Sequence, residues 1–597
     1  MNTRNSSDGD ESPSQAIYSR DEQDSALTVA MDTRGLEDRA TVTFSVENDP
    51  SSIGVDDEGG TPATSIPPLE VHLDHGSYPP SPPSLSVDVE SSVLVAPWRD
   101  PYQASPESIY ERYDVTVDDA EADRATEIKI FSIRRPHMRA FHVAWFSFFW
   151  AFTIWFAPAP LLKEIQKTLG LTRKEIWTSS ITNDITAIFL RILIGPLCDV
   201  YGARLPMAAV LVLASIPTAM VGLIQSAAGL SVTRFFIGIA GSSFVMAQFW
   251  PSRMFTRELA GTANGIVGGW GNLGGAFTQL LMGTILFPAF RNLYDGDSEK
   301  AWRVICVIPA AVAFLWGIAV PWISDDAPMG NYGEMKKRGA MDRILMTTAL
   351  RQGAVVNTWI LYVQYACSFG VELVMNNATV LYYTDEFGLS TEDAAALGFI
   401  YGSMNLFARG MGGYLSDQLN LKFGLRGRLW LQTCLLVVEG IVIIIFPFAD
   451  TLRGAIVTMC IFSIFTQAAE GAIFGVVPYV TKLYSGSVSG LVGAGGNAGS
   501  VIFGLGFRSL SYRQAFIMMG CIVIASSGLS AFINIPLYAG LLWGKDNHSV
   551  IKSRERFLER RAREKELRSR YAAEEDVAAA VDPTSASRAT EDEQHVS

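Results

Sequence analysis

The sequence Arg191-Ile-Leu-Ile-Gly-Pro-Leu-Cys-Asp199 ends one long apolar segment, and Arg409-Gly-Met-Gly-Gly-Tyr-Leu-Ser-Asp417 ends another. In both segments glycine follows the arginine by four residues and aspartate follows it by eight. At a rise of ~1.5 Å per residue, eight helical residues place each arginine ~12 Å inside the helix end that its aspartate marks. That depth is close to the midplane of a hydrocarbon core ~30 Å thick. The pair therefore predicts two equivalent membrane-spanning helices, each with a buried arginine.

An arginine in the hydrocarbon core needs a reason, because placing it there costs at least ~2.5–3.5 kcal/mol. The simplest reason for two equivalent arginines is an anion held between them. The alternative is a structural role, in which Arg191 and Arg409 bond to helix carbonyl groups. The first interpretation predicts a binding site for a small anion near the centre of the protein.

Length and composition agree with a membrane protein. Of the 597 residues, 49% are hydrophobic and only 18% are charged, and the mean hydropathy is +0.21, which excludes an ordinary soluble enzyme. About twelve apolar runs of spanning length recur between Ala140 and Leu537. The six cysteines lie in or beside these runs, so we expect free thiols. We therefore predict an all-α polytopic membrane protein with twelve transmembrane helices.

Composition divides the chain into five segments. Residues 1–130 are rich in Asp, Glu, Ser and Pro, which predicts a disordered acidic leader. Residues 137–323 and 354–540 each hold about six apolar runs and form the two halves of an internal repeat, joined by a linker at 324–353. Residues 541–597 form a charged tail.

The distribution of basic residues predicts the orientation. No apolar core follows the amino terminus, so we expect the first membrane helix to direct insertion and the chain's start to stay in the cytosol. Loops expected on the cytosolic side are rich in lysine and arginine, as the positive-inside rule requires. These residues are Arg204, Arg253, Arg257, Lys336, Lys337, Arg338, Lys422, Arg426, Arg428 and Lys482. The exceptions, on the opposite side, are Lys163, Lys167, Arg173 and Lys174. The tally predicts that leader, linker and tail are all cytosolic.

The tail contains a stretch from Lys552 to Arg570 that is dense in Arg, Lys and Glu at helical spacing. A solvated helix with salt bridges along its surface is one interpretation. A docking or lipid-contacting segment used in regulation is the other. The residues do not decide between them.

A second pair of landmarks repeats in the two halves. Trp270-Gly-Asn272-Leu-Gly in the fifth apolar run parallels Gly495-Gly-Asn497-Ala-Gly in the eleventh. The glycines that flank the asparagines are Gly271, Gly274, Gly496 and Gly499. Such glycines let two helices approach closely and leave the amide facing inward. Asn272 and Asn497 are therefore candidates either to donate to an anion or to bond between helices.

Two six-helix halves with Gly-x-x-x-Asp at the end of the second run of each resemble the major facilitator superfamily. The residues of this conformational motif are Gly195, Asp199, Gly413 and Asp417. Arg191 and Arg409, together with the two glycine-asparagine segments, also resemble the paired nitrate motifs of the nitrate/nitrite porter family, which includes the eukaryotic high-affinity nitrate transporters. The chain departs from that family in its acidic leader, and in the repeat Gly495 stands where the first motif has Trp270.

The resemblance implies roles for particular residues. Arg191 and Arg409 would hold nitrate, and a planar guanidinium suits a flat oxyanion better than a strongly hydrated ammonium does. Tyr365, in the seventh apolar run, looks like the aromatic residue that relatives place against the anion. Glu372 lies in a family-like motif and is the candidate for proton coupling. Three other membrane carboxylates are further candidates to carry protons: Asp184, Glu439 and Glu470.

These arguments predict a high-affinity nitrate transporter of the plasma membrane that imports nitrate with protons by rocking its two halves about a central site. Moving one anion into a negative interior costs ~2.3 kcal/mol per 100 mV, so accumulation requires coupling. Its expected partners are nitrate, with nitrite as a second substrate, protons, the lipid bilayer and regulatory partners of the tails. We expect no cofactor, no metal, no nucleic acid and no enzymatic activity.

Three alternatives remain within reach of the same residues: an exchanger of nitrate and nitrite, a carrier of another small oxyanion, and a nitrate sensor that does not transport. A fourth, a dinucleotide-binding oxidoreductase, rests on Gly269-x-Gly271-x-x-Gly274. That glycine pattern lies inside an apolar run with no preceding strand and no acidic partner at the expected distance, so we reject it.

Overall fold

The computed structural model describes residues 113–118, 121–341, 344–481 and 483–581. The leader before residue 113, Lys482 and residues 582–597 of the tail lie outside the described residues. Two short antiparallel β-strands, Val117–Asp118 and Arg124–Ala125, precede a bundle of helices.

Ten helices are long and apolar enough to cross a membrane, and an eleventh joins them if a pair bent by 75° counts as one span. We number the spans in chain order. Spans 1 to 6 are His137–Leu169, Arg173–Tyr201, Arg204–Leu223, Ala227–Met254, Arg257–Leu293 and Ser298–Ile323. Spans 9 to 12 are Leu425–Phe448, Leu452–Val480, Ser485–Ser509 and Tyr512–Phe532.

Spans 7 and 8 complete the set. Span 7 is Val356–Phe387, which follows the short helix Met346–Gly353 of the bent pair. Span 8 consists of the helices Thr391–Ser403 and Ala408–Phe423, with the 3-10 turn Met404–Leu406 between them. The predicted all-α fold with twelve membrane helices is confirmed.

Several spans are not continuous α-helices. The shorter elements are the 3-10 turns Ala159–Leu161, Met220–Leu223, Gly238–Ser242, Arg257–Leu259, Phe446–Phe448 and Gly528–Phe532, and the π-helix Gln279–Leu286. The helices beside them are His137–Phe156, Leu162–Leu169, Arg204–Ala219, Ala227–Ile237, Ser243–Met254, Ala260–Thr278, Phe287–Leu293, Ser298–Ile305, Val307–Ile323, Leu425–Ile445 and Tyr512–Ser527. Breaks inside a helix often mark functional positions. The 3-10 turn of span 4 contacts the buried Arg191, and the 3-10 turn Met404–Leu406 of span 8 lies three residues before the buried Arg409.

The repeated glycines allow close packing inside each half. A methyl group on Gly271 would meet the ring of Phe148 in span 1, because the helices of spans 1 and 5 are in direct contact there. In the other half, a methyl group on Gly496 would meet the ring of Phe369 in span 7. Gly274 and Gly499, one turn further along, lie against backbone carbonyls of the same partner spans. The two motifs therefore pack span 5 on span 1 and span 11 on span 7.

The predicted conformational motif joins the two halves. We call the span ends that carry Asp199 and Asp417 the inner ends. The Asp199 carboxylate accepts hydrogen bonds from the backbone N–H groups of Gly486 and Ser487, at 2.9 and 2.8 Å, and from the Ser487 hydroxyl at 2.7 Å. These groups form the first turn of span 11, whose exposed N–H groups favour a negative charge. Span 2 of one half thus caps span 11 of the other.

The same arrangement recurs with the halves exchanged. Asp417 in span 8 accepts from the N–H groups of Gly261 and Thr262 in span 5, at 3.0 and 2.6 Å, and from the Thr262 hydroxyl at 2.6 Å. Arg428 pairs with Asp417 at 2.7 Å and is also buried. Gly413 lies against the backbone of Gly261, as Gly195 lies against that of Gly486. The inner ends of the two halves are held together at both places.

The outer ends are also closed. Lys163, at the end of span 1, pairs with Asp385 of span 7 at 2.7 Å. Arg173, at the start of span 2, donates to the carbonyl of Phe507 in span 11 at 3.1 Å. Lys163 and Arg173 are two of the basic residues that did not follow the positive-inside rule. In the structure, each forms a contact between the two halves. Because neither end is open, the structure represents an occluded state.

Substitution of Asp199 is expected to loosen the inner end. Asp199→Ala removes three hydrogen bonds to a charged group, each contributing on the order of 1.5–3 kcal/mol, so the closed inner end loses population. In a Ser485→Cys background, we expect a maleimide applied from the inner side to label the introduced cysteine about tenfold faster. Peptide mass spectrometry separates this label from the native thiols. Asp297→Ala is the matched control, because Asp297 caps a helix of its own half through the N–H of Lys300. Equal labelling rates in the two variants would contradict a role for Asp199 in closing the inner end.

The structure also revises the boundary of the leader. Residues 113–118 and 121–130 lie in the segment predicted to be disordered, yet they include the two β-strands. The carbonyl of Ala125 accepts from the N–H of Thr256 at 3.0 Å, and that of Asp123 contacts His137 Nε2 at 2.7 Å. The ordered part of the chain therefore begins before residue 130, because its backbone groups find partners on the bundle.

The linker and the tail contain helices as well. Tyr332–Lys337 lies in the linker, where the buried Asp326 accepts from the N–H of Arg204 at 3.0 Å. Burial raises the pKa of Asp326, and its bond with Arg204 acts in the opposite direction. In the tail, His548–Val581 is one helix that includes the charged stretch, as the spacing predicted.

Candidate functional site

Arg191 is fully buried in span 2 and faces both halves. Its Nε donates to the carbonyl of Gly241 at 2.8 Å, and its Nη1 donates to the carbonyl of Gly493 at 2.6 Å. Gly241 lies in the 3-10 turn of span 4, and Gly493 lies in span 11 of the other half. The third nitrogen, Nη2, has no hydrogen-bond partner among the described residues.

Arg409 is also fully buried, and its surroundings differ from those of Arg191. Its Nη2 donates to the hydroxyl of Tyr365 at 2.7 Å. Its Nη1 pairs with the carboxylate of Glu470 in span 10 and lies 4.0 Å from that of Glu372 in span 7. Arg409 is therefore neutralised by acidic neighbours of its own half, whereas no carboxylate lies within ion-pair distance of Arg191 in the described part of the chain.

Two phenylalanine rings bring the arginines to one place. The guanidinium carbon of Arg191 lies 4.7 Å from the ring centre of Phe244 and 5.1 Å from that of Phe369. The corresponding distances for Arg409 are 5.5 and 5.6 Å. Tyr365 stacks on both rings, at centroid distances of 5.6 and 5.1 Å. The structure thus brings three predicted site residues, one from the first half and two from the second, around one aromatic cluster.

Cation–π contacts of this kind are favourable by ~0.5–2 kcal/mol and leave the edges of a guanidinium free to donate. Phe244 and Phe369 therefore hold the two cations without occupying their N–H groups. A flat anion with acceptor oxygens around its edge matches the free N–H edge of Arg191, because a guanidinium donates in its own plane.

Asn272 and Asn497 occupy different settings despite their equivalent positions. Asn272 Nδ2 donates to Glu372 Oε2 at 3.0 Å, and Asn405 Nδ2 donates to the other oxygen at 2.7 Å. Asn272 is thus engaged with the candidate proton-coupling carboxylate. Asn497 is buried, and neither of its side-chain polar atoms has a hydrogen-bond partner among the described residues. A buried amide without partners is costly, which makes Asn497 available to a ligand.

Sequence reasoning missed Phe244, Phe369 and Asn405, and it listed Glu470 only as a membrane carboxylate. A repeat signal was available for one of them. Gly241-x-x-Phe244 in span 4 has the counterpart Gly471-x-x-Phe474 in span 10, and the Phe474 ring lies 5.0 Å from that of Phe244. No spacing rule identifies the others, because their contacts form between distant spans.

Replacing Tyr365 with Phe tests the contribution of the hydroxyl group separately from that of the ring. In Tyr365→Phe the ring still stacks on Phe244, while Arg409 loses a hydrogen bond that contributes about 0.5–1.5 kcal/mol. We expect anion affinity to weaken by about three- to tenfold with little change in the maximum transport rate. Uptake kinetics test this, with Tyr382→Phe, in another aromatic cluster of span 7, as the control. A loss of maximum rate with normal affinity would contradict the assignment.

Within the described ranges, no group of three or more His, Cys, Asp or Glu side chains is arranged to hold a metal ion. The cysteines of that part of the chain are all free, as the sequence predicted.

Known proteins resemble this chain over most of its length. The profile of the Major Facilitator Superfamily matches residues 144–504. High-affinity nitrate transporter 2.3 of Oryza sativa subsp. japonica is 38% identical over 427 residues, which cover 70% of this chain and 82% of the relative. High affinity nitrate transporter 2.5 of Arabidopsis thaliana is 37% identical over 436 residues, covering 72% and 86%. Nitrate/nitrite transporter NrtP of Picosynechococcus is 28% identical over 449 residues, covering 61% and 83%.

Proposed function

Because this chain belongs to the major facilitator superfamily and, within it, to the nitrate/nitrite porter family, we propose that it transports nitrate into the cell together with protons. In this proposal the spans lie in the plasma membrane, the inner ends face the cytosol, and both termini are cytosolic. The binding site is formed by Arg191, Arg409, Tyr365 and Asn497. The family supports nitrate as the substrate, and the geometry supports the site.

One observation carries the proposal: Arg191 is buried with Nη2 unpartnered, and among the described residues no carboxylate lies within ion-pair distance of it. A desolvated cation without an anion is costly, so the site favours a monovalent anion that accepts hydrogen bonds in one plane. Nitrate meets these requirements. Nitrite is the second candidate substrate, because the similar NrtP protein is named a nitrate/nitrite transporter.

Proton coupling follows from the partners of Arg409. Nitrate that reaches Arg409 competes with Glu470 for the same guanidinium. The displaced carboxylate is then a buried charge without a partner, which is strongly disfavoured unless it binds a proton. Glu372, 4.0 Å from the same arginine nitrogen, belongs to this exchange. Nitrate and a proton therefore enter the site together, and neither change alone leaves the charges balanced.

Alternating access then follows from the two sets of contacts between the halves. The occluded state is closed by Asp199 and Asp417 at the inner ends and by Lys163 and Arg173 at the outer ends. Opening to one side breaks one set and keeps the other, so the halves rock about the central arginines. Nitrate shared by Arg191 and Arg409 stabilises the closed form that lies between the two open ones.

Electrophysiology with simultaneous measurement of internal pH tests the function. Nitrate is added from outside to cells that express the full chain, at several external pH values and holding potentials. We expect an inward current with acidification, because more than one proton must accompany each nitrate for positive charge to enter. Nitrate entry without acidification would contradict proton coupling, and nitrate binding without flux would contradict transport.

A further inference from the structure

A third fully buried arginine, Arg234, lies on span 4 outside the central site. It precedes Gly241, the residue whose carbonyl holds Arg191, by seven positions. At ~1.5 Å per residue this places Arg234 ~10 Å nearer the outer end of the span. Its side chain is 0% exposed. A charge at this depth calls for a function, and the mechanism described above does not use it.

The guanidinium of Arg234 connects the two halves. Its Nη1 donates to the hydroxyl of Ser180 in span 2 at 2.8 Å. Its Nη2 donates to the side-chain oxygen of Asn377 in span 7 at 2.9 Å. Its Nε has no hydrogen-bond partner among the described residues. Among the described residues, only hydroxyl and amide oxygens accept hydrogen bonds from this guanidinium, and its Nε stays unused.

Span 2, which packs beside span 4, carries more unpartnered polar atoms. Asp184 accepts from the Ser500 hydroxyl through Oδ2 at 2.6 Å, but its Oδ1 has no partner in the described part of the protein. Neither polar atom of the Asn183 side chain has one. A crevice between the halves, which has no room for a water molecule in this closed state, is lined by Ser180, Asp184, Asn377 and Ser500 among others. Buried polar groups without partners need an explanation, and a ligand that binds when the crevice opens supplies one for these groups.

The contacts around the crevice belong to the outer closure. Arg234 with Asn377 joins span 4 to span 7, and Asp184 with Ser500 joins span 2 to span 11. When the outer ends separate, both contacts break, because each joins one half to the other. Arg234 is then no longer buried. It faces the outer entrance, and its free N–H groups lie on the outer side of Arg191.

We propose that Arg234 forms a second, outer anion site that receives nitrate from outside and passes it to Arg191, and that its bond to Asn377 seals this route after passage. The inference rests on the proposed transport of nitrate and adds a step to it. A cation in a low-dielectric entrance attracts anions and raises their rate of arrival by about 10- to 1,000-fold. Asp184, the carboxylate that lines the crevice, weakens this attraction and keeps the anion from remaining at the outer site.

We call a site that receives nitrate and passes it on a relay. Such a site affects two measurable constants differently, and the test compares them. One is the Michaelis constant for nitrate influx, from nitrate-evoked currents in cells that express the full chain. The other is the equilibrium dissociation constant for nitrate, measured with the purified full-length protein. For Arg234→Gln we expect the Michaelis constant to rise about tenfold and the dissociation constant to change by less than about threefold. Arg234→Lys, which keeps the charge, should stay within about threefold of the unmodified protein in both.

A second variant, with the opposite expected effect on the Michaelis constant, keeps the test valid if Arg234→Gln does not fold. Asp184→Asn removes the negative charge from the crevice with little change of shape, so we expect the Michaelis constant to fall about threefold. Equal changes of both constants in Arg234→Gln would place Arg234 in the final site or in the scaffold and overturn the relay, as would an unchanged or raised Michaelis constant in Asp184→Asn. Failure of the unmodified protein to carry nitrate removes the proposed function and the relay with it. Normal transport with an unchanged Michaelis constant in Arg234→Gln removes the relay alone.

Discussion

Arg191→Lys is expected to reduce nitrate uptake roughly a hundredfold while the protein still reaches the membrane. The guanidinium of Arg191 bonds to the carbonyls of Gly241 and Gly493 and still keeps one nitrogen for the anion. An ammonium group cannot reproduce this planar arrangement, although it preserves the charge. Losing hydrogen bonds to a charged group costs ~1.5–3 kcal/mol, and 2.8 kcal/mol corresponds to about a hundredfold. The measurement is the ratio of maximum uptake rate to Michaelis constant, normalised to surface protein.

The control for this prediction is Arg303→Lys. Arg303 also donates to two backbone carbonyls, those of Gly222 and Ile224, at 2.7 and 2.6 Å, but it lies near the outer end of span 6 and not at the site. We expect its uptake kinetics to stay within about twofold of the unmodified protein. Normal nitrate affinity in Arg191→Lys would exclude Arg191 as the anion ligand and leave it a structural arginine.

Glu470→Gln is expected to separate nitrate transport from proton transport. The neutral side chain no longer competes with nitrate for Arg409, and it cannot take up the proton that balances the anion's charge. We expect nitrate to exchange across the membrane, while inward current and uphill accumulation are lost. The measurement is the nitrate-evoked current together with internal acidification, both of which should fall at least about tenfold. Because removing one partner of a buried ion pair costs ~3–5 kcal/mol, surface expression must be measured in parallel.

Glu372→Gln is the companion variant. Glu372 receives amide donors from Asn272 and Asn405 and lies near the same guanidinium, so a shared exchange of partners predicts that this variant also uncouples protons from nitrate. Asp297→Asn, which alters a carboxylate that caps the helix at the outer end of span 6 within its own half, should keep coupling intact. If both glutamine variants still acidify the cell when nitrate enters, the carboxylates around Arg409 do not carry the proton.

Much of the candidate site could be predicted because each of its motifs occurs twice, once in each half of the internal repeat. Arg191 and Arg409 stood out as charges in apolar segments, and Asp199 and Asp417 stood out by their fixed distance from them. These patterns are local: one helix presents residues at fixed spacing, and the cost of a buried charge can be read from its neighbours in the chain. The glycines beside Asn272 and Asn497 were recognised for the same reason.

The replacement of Trp270 by Gly495 in the repeat predicts that the two halves of the site are not chemically identical, but it does not predict how they differ. In the structure, Arg409 has Glu470 and Glu372 beside it and Arg191 has neither. Likewise, Asn272 bonds to Glu372, whereas Asn497 has no partner in the described part of the chain. Whether a membrane carboxylate pairs with an arginine depends on which helices meet, and that is not encoded in the spacing along either one.

The sequence by itself determined the class of protein, the two halves, the equivalent positions of the arginines in their helices and the motif at the inner ends, because hydropathy and helical periodicity act within single segments of chain. Only the tertiary structure decided that Phe244 and Phe369 hold both cations, that Asp199 and Asp417 cap helices of the opposite half, and that Arg234 lies at the outer closure. Each of these depends on side chains meeting across spans far apart in sequence. Such contacts are set by the packing of all twelve helices together, so no single segment contains the information that fixes them.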